Sequence, residues 1–275
     1  MSKFFKALEP TVKCPDAVDE HLVSLLRPTS FEAEQYRALR HMMERWHNDP
    51  GLHAVAVTSP SAGDGKTTTA INLAGTLAQG HDARVLLVDA DLRRPCVAKQ
   101  LALGHAATPG LVDAVLDPAL SLEDVVRLRP PFSFGILPAG RPPASSYEVL
   151  TLPRLAALLD EARQRYDYIV VDTPPLVAYP DCHVIGKWVD GYLMVVAAYK
   201  TPRKLVAEAL SVMDAAKIVG LVFNSDDRPL FGYSGYYYNY HESPNGKRTR
   251  VWGRAPKKVG GFLWRRGSPL ERSSK

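Results

Sequence analysis

The chain has 275 residues, 46% of them hydrophobic and 23% charged, with a formal net charge of +5. That suits one large globular domain, alone or with flexible ends. No apolar run approaches the ~18 residues of a bilayer-spanning helix, and Cys14, Cys96 and Cys182 are too scattered for a zinc site or a disulfide framework, which points to a reducing cytoplasm. The charge is uneven: residues 241–275 hold ten Lys/Arg and two Glu, a net +8, which leaves the first 240 residues at −3. A basic strip of this kind is either a solvated tail or a contact for anionic lipid, nucleic acid or an acidic partner.

In chain order, "MSKFFKALEP" lacks the apolar core and small-residue cleavage site of a signal peptide. Residues 1–29, with Pro10, Pro15 and Pro28, read as an arm. Ser30 is placed to cap a helix over "FEAEQYRALRHMMERW", where Phe31, Tyr36, Leu39, Met42, Met43 and Trp46 recur at roughly helical spacing. Strands and helices then alternate. "HAVAVTS" is a strand, "KTTTAINLAGTLAQ" a helix, "RVLLVDAD" a strand, "SLEDVVR" a short helix and "FGILPAG" a strand end. "PRLAALLDEARQRY" is a helix with Leu155, Leu158, Leu159 and Ala162 on one face. "DYIVVDTPP" and "VDGYLMVVAA" are strands, "PRKLVAEALSVMDAA" a helix and "KIVGLVFNS" the last strand. The strands are continuous apolar runs, as in a mostly parallel sheet covered on both faces. The expected fold is a doubly wound α/β domain over residues 30–228, followed by a tail over 229–275.

"VTSPSAGDGKTTTAINLA" joins the first strand to the first long helix. Gly63 and Gly65 let successive N–H groups turn inward around phosphate oxygens, and the helix N-terminus adds its positive end. Lys66 can reach the outer phosphates and the Thr67 hydroxyl can bind Mg²⁺. The strict pattern wants glycine where Pro60 stands. Two further strands end in carboxylates, "VLLVDADLRRP" with Asp89 and Asp91 and "YIVVDTPP" with Asp172. In a parallel sheet such ends line one ligand-binding edge. Three carboxylates facing one phosphate loop call for a counter-charge, which Mg²⁺ and a nucleotide together provide.

These motifs resemble the bacterial tyrosine kinases of capsule and exopolysaccharide synthesis, in the form whose kinase domain is a separate cytoplasmic protein. The likeness covers about residues 30–240. It includes the Walker A-like "SPSAGDGKTTTA", the Walker A′ "LLVDADLRRP", the Walker B "IVVDTPP", the helix motif "EQYRALR" and a tyrosine cluster in "FGYSGYYYNYH". It implies an ATP- and Mg²⁺-dependent enzyme that phosphorylates its own tail on a neighbouring subunit, at Tyr233, Tyr236, Tyr237, Tyr238 and Tyr240. By that likeness Ala62, Gly63, Asp64, Gly65, Lys66, Thr67 and Thr68 hold the phosphates. Thr67 ligates the ion, with Asp89 and Asp172 supporting it directly or through water. Asp91 is the candidate base for the phenol, although the roles of Asp89 and Asp91 can be exchanged. Arg93 either steadies phosphate charge or pairs with an acidic neighbour, and Asn224 reads adenine. Glu34, Arg37 and Arg40 pack against the next subunit and build a ring.

The same likeness implies a chain-length-determinant protein of the inner membrane as activator, which would bring the chain to the inner face of that membrane. Nucleic acid is not an expected partner, and the basic strip after Tyr240 is a candidate contact for anionic lipid. Two positions depart from the family pattern: Ala197 stands where arginine is common, and Ser145 and Ser146 replace an Asn-Pro pair. Two other readings share these motifs. One is a partitioning or division-site ATPase, whose signature lysine would fall at Ser61. The other is a nucleotide-gated assembly partner that turns nothing over.

Overall fold

A computed structural model describes residues 18–48, 51–104 and 108–225. The tyrosine cluster, the basic strip and the first 17 residues lie outside the described residues. The chain opens with a short helix α1 (Val23–Leu26) and the long α2 (Phe31–Asn48). Ser30 caps α2 as expected, its Oγ accepting from the Ala33 N–H at 3.1 Å. Ala33, Tyr36, Leu39 and Met43 form the buried stripe, while Phe31, in the first turn, is half exposed.

Next come β1 (Ala54–Thr58), α3 (Lys66–Leu77), β2 (Val85–Asp89), α4 (Val97–Gln100), α5 (Leu111–Leu116), α6 (Leu122–Val125), β3 (Arg127–Leu128) and β4 (Gly135–Leu137). The second half holds α7 (Ser146–Thr151), α8 (Pro153–Arg165), β5 (Tyr168–Asp172), α9 (Asp181–Ile185), β6 (Gly191–Ala197), α10 (Arg203–Ser211) and β7 (Ile218–Asn224). The seven strands form one sheet in the order β3-β4-β2-β5-β1-β6-β7, parallel except for the β3–β4 pair at one edge. Every residue of β1, β2, β5 and β6 is buried. Alternate residues feed two cores: Ala54, Ala56, Leu86 and Val88 face one layer, and Val55, Val57, Val85 and Leu87 the other. The doubly wound parallel sheet expected from the apolar runs is therefore present. Its last strand departs from the pattern, because β7 lies at an edge and only Val222 is fully buried there.

The segment read as an arm joins the body earlier than residue 30. Leu22 and Val23 are fully buried, the Ser24 N–H donates to Asn72 Oδ1 at 2.8 Å, and Gln79 Nε2 donates to the Ser24 carbonyl at 2.8 Å. Gly75 lets α1 come so close to α3, since a Cβ there would lie 2.4 Å from Leu25 Cδ2. Helices α4, α5 and α9 were not foreseen, being four to six residues long and too short for a periodic signal.

Candidate active site

β1 ends at Thr58, and the chain turns through residues 59–65 into α3. Gly65 caps α3 with φ +94°, in the left-handed region. A Cβ at that position would also lie 1.9 Å from Asn224 Nδ2, so both conformation and space require glycine. Ala62 and Gly63 form the exposed crest of the loop, while Asp64 is buried inside it. The Asp64 carboxylate accepts from the Ser61 N–H at 3.0 Å, from Ser61 Oγ at 3.1 Å and from Thr201 Oγ1 at 2.7 Å. Asp64 thus braces the loop with its side chain and leaves only its backbone to a ligand.

Behind the loop, Asp89 on β2 and Asp172 on β5 are register partners, both fully buried. Thr67 Oγ1 donates to Asp172 Oδ2 at 2.6 Å, and the Val97 N–H donates to Asp89 Oδ2 at 3.0 Å. The other oxygen of each carboxylate, Oδ1, is buried without a hydrogen-bond partner. Burial, together with the neighbouring Asp172 charge, pushes the Asp89 carboxyl well above the usual range. Burial also pushes Asp172 up to about 7, against the opposing pull of the Lys66 charge and the Thr67 hydroxyl. Two adjacent carboxyls shielded from water resist double ionisation unless a cation joins them.

Lys66 Nζ lies 3.0 Å from Asp91 Oδ2, and the Arg94 N–H donates to Asp91 Oδ1 at 3.0 Å. Burial works against the Lys66 charge, but the Asp172 and Asp91 charges outweigh it and its pKa is raised. The unpartnered oxygens of Asp89 and Asp172, beside the Thr67 hydroxyl, are hard donors of the kind Mg²⁺ prefers. Among the described residues no group of three or more His, Cys, Asp or Glu could cage a metal alone.

Several other expected residues occupy specific places. Asn224 lies against the phosphate loop, its Nδ2 donating to the Asp64 carbonyl at 3.0 Å. Of the two readings of Arg93, the acidic pair is the one found. Arg93 makes two hydrogen bonds to the fully buried Asp181, at 2.8 and 2.9 Å, and its guanidinium lies 4.2 Å from the centre of the Tyr179 ring. Ser145 caps α7, its Oγ accepting from the Glu148 N–H at 3.4 Å. Glu34, Arg37 and Arg40, on α2, are engaged within the chain. Arg37 pairs with Glu34 and donates to the Pro28 carbonyl; Arg40 donates to Glu44 Oε1 at 2.6 Å and to the Thr76 carbonyl at 3.3 Å.

Sequence reasoning missed the turn after β6. Thr201, which braces Asp64, and Lys200, whose Nζ stands 3.5 Å from the Gly63 carbonyl, both belong to the site. Only the strand order could have revealed them, because β6 lies beside β1 and its end must therefore adjoin the loop.

Residues 55–229 match the CobQ/CobB/MinD/ParA nucleotide binding domain. The chain belongs to that class of phosphate-loop proteins. Tyrosine-protein kinase YwqD of Bacillus subtilis (strain 168) is 32% identical over 222 residues, covering 80% of this chain and 92% of YwqD. The succinoglycan biosynthesis transport protein ExoP of Rhizobium meliloti (strain 1021) is 30% identical over 76% of this chain, a match that spans 27% of ExoP. The kinase domain of the Escherichia coli tyrosine kinase ETK superposes with a TM-score of 0.70 at 25% identity, covering 81% of this chain and 86% of that one. Within its class the chain therefore belongs to the bacterial tyrosine kinases, as its motifs led us to expect. Partitioning and division ATPases, at 20% and 22% identity, share the fold alone. No helix among the described residues is long and apolar enough to cross a membrane.

Proposed function

We propose that this kinase transfers the γ-phosphoryl group of ATP to the tyrosine cluster of its own chain, on a neighbouring subunit. The observation that carries this reading is the position of Asn224. Its side chain touches the phosphate loop, and Tyr233 follows only nine residues later, a reach of at most about 30 Å.

The chain's own groups divide the work. Gly63, Gly65 and the first N–H groups of α3 receive the phosphates. Lys66 leaves Asp91 for the phosphate oxygens, which compete for its ammonium. Asp91 Oδ2, released by that move, takes the phenol proton as the tyrosine oxygen bonds to the γ-phosphorus and the bond to the ADP oxygen breaks. Asp89, deeper and held by the Val97 N–H, supports the ion together with Thr67 and Asp172. Bound Mg²⁺ supplies charge neutralisation for the phosphates and the two buried carboxyls. Asn224 reads the base after giving up its contact with the loop. The face of α2 carrying Glu34, Arg37 and Arg40 packs against the next subunit, and a membrane-spanning activator of the chain-length-determinant kind recruits the kinase for exopolysaccharide export.

The test mixes two chains. One is full-length Lys66→Met; the other is active but has phenylalanine at Tyr233, Tyr236, Tyr237, Tyr238 and Tyr240. With Mg-ATP, and the activator if required, phosphotyrosine should appear on the Lys66→Met chain. A Lys66→Met chain that stays unphosphorylated in the mixture, while wild type alone is phosphorylated on the cluster, overturns transfer between subunits. ATP hydrolysis without phosphotyrosine favours the partitioning-type reading.

A further inference from the structure

We propose that Lys200 is a second phosphate-binding cation of the nucleotide site. It approaches from the β6 side of the loop, whereas Lys66 works on the β5 side. The inference rests on the nucleotide-binding reading of the loop and adds a residue that the phosphate-loop motif does not contain.

The turn after β6 is anchored to the loop rather than merely near it. Thr201 Oγ1 donates to Asp64 Oδ1 at 2.7 Å and accepts from the Ala197 N–H at 3.1 Å, tying the strand end, the turn and the loop brace together. This anchoring sets the neighbouring Lys200 over the crest of the loop. Its Nζ lies 3.5 Å from the Gly63 carbonyl and 3.4 Å from where a Gly63 Cβ would stand. The ammonium thus stands at van der Waals distance over Gly63, whose φ of +82° is what calls for glycine there.

The contact at 3.5 Å is at the long limit of a hydrogen bond, so it does not consume the charge. No carboxylate among the described residues forms an ion pair with Lys200. An exposed ammonium held over a loop built to receive phosphate meets the ligand's negative charge when the loop fills. Lysine serves phosphate in this way as a point charge on a flexible stem. The same turn carries no other cation, since its neighbours are Ala197, Ala198, Tyr199 and Thr201.

The experiment compares full-length wild type, Lys200→Ala and Lys200→Arg by equilibrium binding of Mg-ATP, Mg-ADP and adenosine, at low and high salt. We expect Lys200→Ala to weaken ATP by about threefold to tenfold, Lys200→Arg to stay within about twofold of wild type, and adenosine to be unaffected. The gap between wild type and Lys200→Ala should narrow with salt. Equal ATP affinity in wild type and Lys200→Ala overturns the proposal. Equal losses in the Ala and Arg variants also overturn it, because they indicate a loop clasp rather than a phosphate charge. Wild type that binds neither ATP nor ADP removes the nucleotide reading, and the proposal falls with it.

Discussion

Thr67 and Asp172, 105 residues apart in sequence, share a 2.6 Å hydrogen bond at the carboxyl edge of the sheet. The bond joins the first turn of α3 to the end of β5, so the phosphate loop and the second acidic strand form one unit. It also orients the Thr67 hydroxyl, whose proton is given to Asp172 and whose lone pairs remain available to a cation. Asp172→Asn keeps the shape but removes the charge. We expect phosphotyrosine formation to fall by about a hundredfold or more, as when a preorganised charge is lost from a transfer site. The same variant should be more stable in the absence of Mg²⁺ near pH 8, by on the order of 1 kcal/mol, because the native protein then confines an ionised carboxylate that burial disfavours. A melting curve in chelator separates the two effects.

The titration of Asp172 gives a pH dependence of definite sign. Its pKa in the folded chain is raised from 3.8 to about 7. The native state thus holds the proton more tightly than the unfolded chain does. This contribution to stability is present below 3.8, declines as pH rises towards about 7, and then levels off. A divalent ion at Asp89 and Asp172 displaces the proton, so apparent affinity for Mg-nucleotide should rise as pH passes through that window. Titration calorimetry in buffers of different ionisation enthalpy should detect proton release on binding near neutral pH. Binding that neither releases protons nor depends on pH would place the ion elsewhere.

Lys66→Met should abolish phosphotyrosine, but it also strands a buried carboxylate. Losing one partner of a buried ion pair costs about 3–5 kcal/mol, so a silent variant can be an unfolded one. Adding Asp91→Asn removes the stranded charge. The double variant should regain most of the lost melting temperature and remain inactive. If it stays as unstable as the single variant, the Lys66–Asp91 pair is not what holds this part of the site.

Gly65→Ala tests the backbone of the loop. Alanine in the left-handed region costs about 1–2 kcal/mol, and its Cβ collides with the Asn224 amide as well. Shortening Asn224 to alanine removes the collision and leaves the backbone strain. Nucleotide binding should be lost in Gly65→Ala and partly restored by Asn224→Ala in the same chain. Asn224→Ala alone should weaken ATP binding modestly. Full restoration would mean that the collision, not the φ angle, demands glycine.

Arg37 is a cleaner probe of the proposed ring than Arg40. Arg40 also reaches the Thr76 carbonyl at the end of α3, so its replacement disturbs the body of the domain. Arg37→Glu faces Glu34 with a like charge and should cost no more than about 1 kcal/mol at this half-buried site. If α2 forms the subunit contact, phosphorylation between subunits drops severalfold while ATP affinity stays unchanged. Light scattering of the same samples reports the change in assembly. Equal losses of affinity and phosphorylation would count against the ring.

Much of the architecture was determined by local sequence. The unbroken apolar runs of β1, β2, β5 and β6 announce strands buried on both faces, and the spacing of Leu155, Leu158, Leu159 and Ala162 announces the inner face of α8. Lys66, Thr67, Asp89, Asp91 and Asp172 could be picked out because each sits beside a strong strand or helix signal. Pairing depended on strand order and on packing, neither of which leaves a local trace. β5 lies between β1 and β2, and this alone puts Asp172 beside both Thr67 and Asp89. The tertiary structure likewise decided that Asp64 faces inward as a brace, that Arg93 belongs to Asp181, that residues 18–29 pack on α3, and that Lys200 stands over Gly63. Each of these depends on a contact between segments far apart in sequence, for Asp64 the one to Thr201. Its energy comes from excluding water and satisfying polar atoms in one folded arrangement, so it exists only once the sheet has assembled.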